Sequence, residues 1–468
     1  VLTALALSAS VAEGQRGQPA STGCRGERIS IITILTLRPS EIDRMSEMGI
    51  TAEFLRRIWV PTNPEVVRGF LRVKEGRVCT ELARSESERI LRAQPFIADA
   101  RIRVIPLGGD SIGLAVETQD EFPIDGALQF RDLAMSRVQL GTQNFDGSGI
   151  GFSAEWREGF AYRDGFGVQY RDALTAGRPW LTSLSARRDP LGGFWEASLR
   201  APFYTDLQRN AWFVGARNVR AFVPFRRAGQ QTVLVDSERF QWLASFGRRI
   251  GTPRRAGIGS LLLEGEDVLD AESAIVATDS GPVRYTGTEL RGRYPAYTSV
   301  RGGLALGLRY LDFTPLRGFD ALTGRQDVGR GVQLSTRLTR SLWAEGGVDR
   351  DILVGTSLYA GRGTPRSITA VQLDMEGRRQ RGAPAWDGIV GSGRAAWYLR
   401  PTERWLHLVS VEGSGGWRTR VPYQLSAGDL NGGMRGYRDT EVGGARRVVL
   451  RLEERLRLPV IRGRADAA

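Results

Sequence analysis

The residue types that carry most enzyme chemistry are scarce in this chain. It has one histidine, His407, in the strand-like stretch "RWLHLV". A single imidazole excludes histidine-based metal clusters and paired-histidine acid–base catalysis, and in a strand wall it reads as structural. No serine-nucleophile elbow and no phosphate loop are read, the latter because its Gly-Lys pair is absent. "GSGIG" at Gly147–Gly151 lacks dinucleotide-loop spacing and opens a strand rather than a helix. Carboxylate pairs are scattered over alternating segments, where salt bridges account for them better than acid/base dyads. The expectation is a protein that is not an enzyme and uses no cofactor or metal. Two cysteines remain, Cys24 and Cys79. In an exported protein an isolated pair most simply forms a disulfide, which would stabilise by about 4 kcal/mol on the chain-entropy model. Two unpaired thiols are the alternative.

One further stretch has the composition of a site. Gly432-Gly433-Met434-Arg435-Gly436-Tyr437, "GGMRGY", places an arginine among glycines close to the C-terminal end. Glycine permits tight turns and close backbone approach, so such a loop can aim its arginine at one spot. An ordinary glycine-rich outer loop is the alternative.

The elements that would position these residues fall into two regions. Arg28 to Leu37 is a β-branched run and reads as a strand. Asn63-Pro64-Glu65 opens a helix: Asn caps it, Pro suits its first position and Glu favours the dipole. Val66, Val67, Phe70, Leu71 and Val73 form its apolar stripe and Gly76 ends it. A second helix runs from Thr80 to Arg92, followed by strands Ala100–Ile105 and Ile112–Glu117. The order is strand, helix, helix, strand, strand.

After Pro123 helical periodicity disappears. Short segments of period two recur, separated by Gly, Asp, Arg and Pro turns. Ile150, Phe152, Ala154 and Trp156 alternate with Gly151, Ser153, Glu155 and Arg157. Val371, Leu373 and Met375 alternate with Gln372, Asp374 and Glu376. A soluble sandwich gives the same alternation. The number of strands, their length and aromatics near their ends favour a transmembrane antiparallel barrel with a polar lumen. No apolar run reaches the roughly 18 residues of a membrane helix.

The formal net charge of +13 is nearly all arginine, with Lys74 the one lysine. These arginines alternate with apolar residues along the chain. That fits a polar barrel face better than a nucleic-acid stripe, so no nucleic-acid partner is expected. "VLTALALSASVA" at the start reads as the end of a secretory signal, with Ser10-Val11-Ala12 as its small-x-small site. A disordered apolar N-terminus is the alternative.

Two stretches together resemble the BamA/TamA-type outer-membrane family, the bacterial surface antigens. "FLRVKEGRVCTELARSESERILRAQPFIADARIRVI", Phe70 to Ile105, resembles the second half of a POTRA domain, whose element order matches the order read above. "MRGY" followed by "VGGARRVVLRLEERLRLP" resembles the family's Arg-Gly-Phe/Tyr loop and the strand after it. The resemblance implies a sixteen-stranded barrel whose loop folds into the lumen, where Arg435 contacts acidic groups. Parity places Glu453 and Arg455 on the lumen face, with Val448, Leu450 and Leu452 toward lipid. Glu454 then falls on the lipid side, near the interface or at a bulge. The family's next strand carries Phe-x-Asp-x-Gly, which is not seen before the end of the chain. The expected organisation is therefore a signal remnant at 1–12, a linker at 13–26, a POTRA-like domain at 27–121, and a barrel at 122–468 lacking its C-terminal strands.

The resemblance further implies a location in the outer membrane, with the POTRA-like domain in the periplasm. It implies insertion of barrel proteins into that membrane or translocation of polypeptides across it. Unfolded outer-membrane clients and lipids are the implied partners, along with periplasmic chaperones or accessory lipoproteins. A secretion pore for one dedicated partner and a passive anion-selective porin are the alternatives.

Overall fold

The structure, a computed structural model, describes residues 23–39, 59–122, 124–131, 134–160, 163–226, 230–269, 274–278, 280–287, 292–317, 319, 325–346, 350–428, 433–434 and 443–456. The β-branched run forms β1 (Arg25–Leu37), which pairs in parallel with β4 (Ser111–Asp120) and antiparallel with the short β2 (Val78–Thr80). β3 (Ile97–Gly108) completes a sheet of order β2-β1-β4-β3. A parallel β1–β4 pair requires a crossover, and two helices supply it.

Helix α1 (Pro64–Phe70) starts where the sequence signals it, with Asn63 Oδ1 accepting from Glu65 N at 2.9 Å. It stops at Phe70, short of Gly76, because Leu71 turns extended and Arg72 N donates to Ser87 Oγ. Helix α2 (Glu81–Arg92) is capped by Thr80 and carries Arg89 and Arg92 in its last turn, where cations suit the dipole. Val67, Phe70, Ile90, Leu91, Leu114 and Val116 form the buried core between helices and sheet. Cys24 and Cys79 are joined as a disulfide across the β1–β2 pair. The β3–β4 turn spells Gly109-Asp110-Ser111-Ile112-Gly113, the letters of a serine-nucleophile elbow that the sequence reading passed over. Here they join two antiparallel strands and no helix follows, so the elbow's geometry is absent.

The rest is one closed antiparallel sheet. Its first half comprises β5 (Asp125–Arg131), β6 (Ala134–Phe145), β7 (Ile150–Phe160), β8 (Arg163–Asp172), β9 (Leu181–Arg188), β10 (Gly193–Ala201), β11 (Asn210–Phe225), β12 (Val233–Thr252) and β13 (Arg255–Val268). A hairpin of β14 (Ala274–Thr278) and β15 (Gly281–Arg284) follows. The second half comprises β16 (Tyr297–Arg317), β17 (Arg325–Gly346), β18 (Asp351–Thr364), β19 (Ser367–Gln380), β20 (Asp387–Leu399), β21 (Trp405–Trp417) and β22 (Arg446–Leu456). The hairpin extends β12, while β13 pairs directly with β16. Sixteen of the eighteen strands from β5 to β22 therefore build the wall among the described residues.

The expected open edge is not there: β22 lies beside β5 and the sheet is closed within residues 125–456. The expectation rested on the family's Phe-x-Asp-x-Gly strand, which is not seen after the arginine loop. The wall instead reaches sixteen strands by β22, the strand after that loop. Closure satisfies the backbone groups that an open edge would leave unpaired in lipid.

Alternation holds around the wall. Phe152, Val214, Leu261, Leu306, Leu338, Met375 and Leu452 are exposed on the outside, while charged residues such as Glu266, Arg301 and Asp351 are buried on the inward face. A continuous outward apolar band with a polar interior is the signature of a membrane-spanning barrel. Among the described residues no helix is long and apolar enough to cross a membrane.

Candidate functional site

Strand β22 shows how the lumen is built. Val448, Leu450 and Leu452 are exposed outward, and Val449 on the opposite parity is buried. Inward, Arg455 donates to Glu453 at 2.9 Å and to the Phe319 carbonyl at 3.3 Å. Arg451 pairs with Glu412 at 2.5 Å and donates to the Gly433 carbonyl at 2.8 Å. Glu454 does face outward. It lies two residues from the end of β22, opposite His407, with Glu454 Oε1 3.4 Å from His407 Nδ1. The Trp405 ring stacks on His407, so this pair sits at an aromatic edge of the wall rather than mid-membrane.

The densest charge cluster lies inside the other end of the wall. Glu266 on β13 receives Arg301 from β16 at 3.2 Å, Arg378 from β19 at 2.6 Å, and Arg239 from β12. Arg301 also reaches Asp351 on β18 at 2.9 Å, and Ser341 donates to the same carboxylate at 2.7 Å. Arg337 bridges Glu264 and Glu376. Arg301 and Asp351 are each 1% exposed. Buried charges of this kind hold only when every member is matched, and removal of one partner costs about 3–5 kcal/mol. The network thus ties β12, β13, β16, β17, β18 and β19 into one arc. It lines a cavity of about 240 Å³ in which five arginines meet four glutamates.

A loop from the β21–β22 connection crosses this mouth. Arg420 bonds Asp351 at 2.5 Å and both oxygens of Asp387 at 2.9 Å. Val421 packs against Val268 and Tyr297. On the opposite side, Gln424 accepts from Arg226 N at 2.7 Å and donates to Arg226 O at 3.0 Å, at the end of β11. Leu425 and Gly444 form an isolated bridge, and Arg447 donates to the Ser426 carbonyl. We call residues 418–428 the strap.

Of the "GGMRGY" residues, Gly432, Arg435, Gly436 and Tyr437 lie outside the described residues. Met434 is half-exposed, and its N–H donates to the Ala427 carbonyl at 2.9 Å. Gly433 is needed for close approach: a Cβ there would lie 1.8 Å from the Gly428 oxygen. The arginine seen entering the lumen from this loop is Arg420, in "WRTRVPY", which the sequence reading did not single out. No glycine flanks it. Its only signal was its place just after a strand.

The α+β domain closes the other end. Ala173, Leu174 and Tyr204, from barrel connections, pack into the domain core. Gly69 abuts Leu174, where a Cβ would lie 2.6 Å from a methyl carbon. Asn63 N donates to the Gly147 carbonyl at 2.9 Å. From α2, Arg92 makes a two-pronged pair with Asp327 on β17, at 2.8 and 2.9 Å. Arg89 donates to the Tyr204 carbonyl at 2.6 Å and lies 4.5 Å over the Phe313 ring. Glu86 accepts from Asp206 N at 2.9 Å and pairs with Arg89. Burial works to raise the Glu86 carboxyl, but the Arg89 guanidinium outweighs it and holds the group below its ordinary value. Burial pushes Asp206 up, against the pull of Arg309 and Arg249. Asp120 is also raised by burial, despite accepting from Thr62 and Trp59. Among the described residues no group of side chains has the make-up of a metal site.

The sequence matches no protein-family model and no curated protein. The solved structures similar to the chain include three outer-membrane proteins. BamA from Haemophilus ducreyi lacking POTRA domains 1–3 is 10% identical over 83% of this chain and 73% of that one, with a TM-score of 0.35. CdiB from Acinetobacter baumannii is 10% identical over 88% and 65%, with a TM-score of 0.39. CdiB from Escherichia coli is 11% identical over 86% and 82%, with a TM-score of 0.38. The fold described above stands on its own strand order and register.

Proposed function

We propose that this protein handles unfolded polypeptides at the outer membrane of a Gram-negative-type bacterium, inserting barrel proteins into that membrane or passing polypeptides across it. The observation that carries this reading is the arrangement of the two units. A small α+β domain of POTRA-like order is locked by α2 to one mouth of a sixteen-stranded barrel. The other mouth is held by a strap that enters the lumen. A simple pore has no use for a docked folding module. The domain, on the periplasmic side, offers β1 as a sheet edge. Arg77, Gly76 and Glu75 bond the β2 side of that strand as far as Ile32. Beyond Ile32 it has no ladder partner on that side among the described residues, so an extended client can add a strand there.

The wall also has a short seam. β5, with seven residues, is the shortest wall strand among the described residues, so the β22–β5 junction is limited to a short ladder. A barrel opening there would present strand edges that template a client's strands. Backbone pairing and apolar burial in the client drive this, with no nucleotide or cofactor.

The near-balance of five arginines and four glutamates around the lumen cavity argues against an anion-selective porin. A secretion pore for one dedicated partner is the second reading, favoured by the strap across the mouth. The test is to reconstitute the protein in vesicles, domain outward, and add an unfolded barrel client. Client recovered folded in the bilayer supports insertion. Client recovered soluble inside the vesicle supports translocation. Neither, with steady ion conductance, overturns both.

A further inference from the structure

Among the arginines on the lipid-facing wall, outside the lumen network, two stand side by side. Arg340 on β17 and Arg379 on β19 stand in one ladder row, each paired with a neighbour of the same strand, Ile352 on β18. Ile352 is 42% exposed on the outside, so both arginines point outward as well. They are two strands apart, which sets their Cα atoms about 10 Å from each other. The row lies near the end of the barrel away from the α+β domain, as Arg340 is six residues from the far end of β17 and Asp327 near the other.

Inward neighbours at this level, Arg301 and Arg378, are matched by carboxylates. The outward pair is not. Among the described residues the Arg340 side chain makes no ion pair or hydrogen bond, and the Arg379 side chain makes one bond, to the Ala383 carbonyl at 3.3 Å. Two tryptophans flank them. Trp343 is 47% exposed on β17, and the 40%-exposed Trp386 covers Gly377, the outward neighbour of Arg379. Toward mid-wall, Leu338, Leu334, Met375 and Leu373 form an exposed apolar surface.

An unneutralised cation at the edge of an apolar band, level with tryptophans, sits in the headgroup layer. Anionic headgroups are attracted there. With Ile352 between their Cα positions, each guanidinium is placed to take a phosphate of its own. We propose that Arg340 and Arg379, framed by Trp343 and Trp386, bind the headgroup of a lipid bearing two phosphate groups, with its acyl chains along Leu334, Leu338, Leu373 and Met375. The site rests on the barrel spanning a bilayer and not on polypeptide handling, so it can fail or stand independently of that function.

The experiment is native mass spectrometry of the full chain in mild detergent. It would be titrated with a bisphosphorylated glucosamine-disaccharide lipid, its monophosphorylated form, and a phosphatidylglycerol. The variants are Arg340→Ser/Arg379→Ser and, as control, Arg248→Ser, an exposed outward position near the domain end of β12. The wild type should hold the bisphosphorylated lipid about tenfold more tightly than the other two. The double variant should lose that preference and the control should keep it. Equal affinity of the wild type for all three lipids would overturn the proposal, and so would an unchanged preference in the double variant. The wild-type comparison decides the matter even if the double variant folds poorly.

Discussion

Replacing Arg420 with alanine should release the strap from the lumen. The guanidinium makes one bond to Asp351, whose side chain is fully buried, and two to Asp387, whose side chain is 27% exposed. Charged hydrogen bonds contribute about 1.5–3 kcal/mol each when desolvated, and the Asp387 pair is discounted for its contact with water. Asp351 keeps Arg301 and Ser341 after the change, so it is not left as a bare buried charge. The net loss is then about 3 kcal/mol, near the lower end for breaking a buried pair. That is about a hundredfold rise in the open fraction of the strap. Hydrogen exchange reads it directly at the Leu425, Met434 and Gly444 amides, which are bonded within the loop region. Their exchange should quicken by about that factor while the β12 and β13 amides stay protected. Asp387→Asn should give a smaller effect, about tenfold, because this carboxylate is partly solvated. Exchange at the three amides unchanged in Arg420→Ala would refute the strap as a lumen-anchored element.

Removing the Cys24–Cys79 bond by Cys24→Ser/Cys79→Ser should destabilise the α+β domain by about 4 kcal/mol, the loop-closure value for their separation, read as earlier proteolysis of the domain in denaturant. Leu452→Arg puts a cation on the outward face midway along β22 and should cost about 2–4 kcal/mol in a lipid-based unfolding titration, whereas Glu454 at the strand's end is already tolerated. Glu86 is held below its ordinary value when folded, so its stabilising share is present above its unfolded value and is lost as pH falls through the folded one. Domain docking, followed by limited proteolysis, should therefore weaken below about pH 4, and Glu86→Gln should flatten that acid arm; the same profile in variant and wild type would exclude Glu86 as its source.

What could be read from the sequence were features written locally. The Asn63–Pro64 helix start and the Thr80–Arg92 helix were legible because caps and stripes are short-range signals. The inward face of Glu453 and Arg455 was legible because a strand alternates strictly. The lumen network was not. Glu266 and Arg378 are 112 residues apart, and only the accumulated register of the intervening strands brings them together. Barrel closure was hidden for the same reason: it depends on counting every strand, including β5 with seven residues and two strands of more than twenty. Arg420 escaped notice because nothing in its neighbours distinguishes an arginine that enters a lumen from one that does not.

The central claim, polypeptide handling, is tested most directly by the folding rate of an unfolded barrel client added to vesicles that contain the full chain, compared with empty vesicles of the same lipid. The account predicts faster folding with the protein present. It also predicts that an Arg92→Ala/Arg89→Ala variant, whose domain is freed from Asp327 and Tyr204, changes that rate. Folding no faster than in empty vesicles, together with no client recovered inside them, would contradict it.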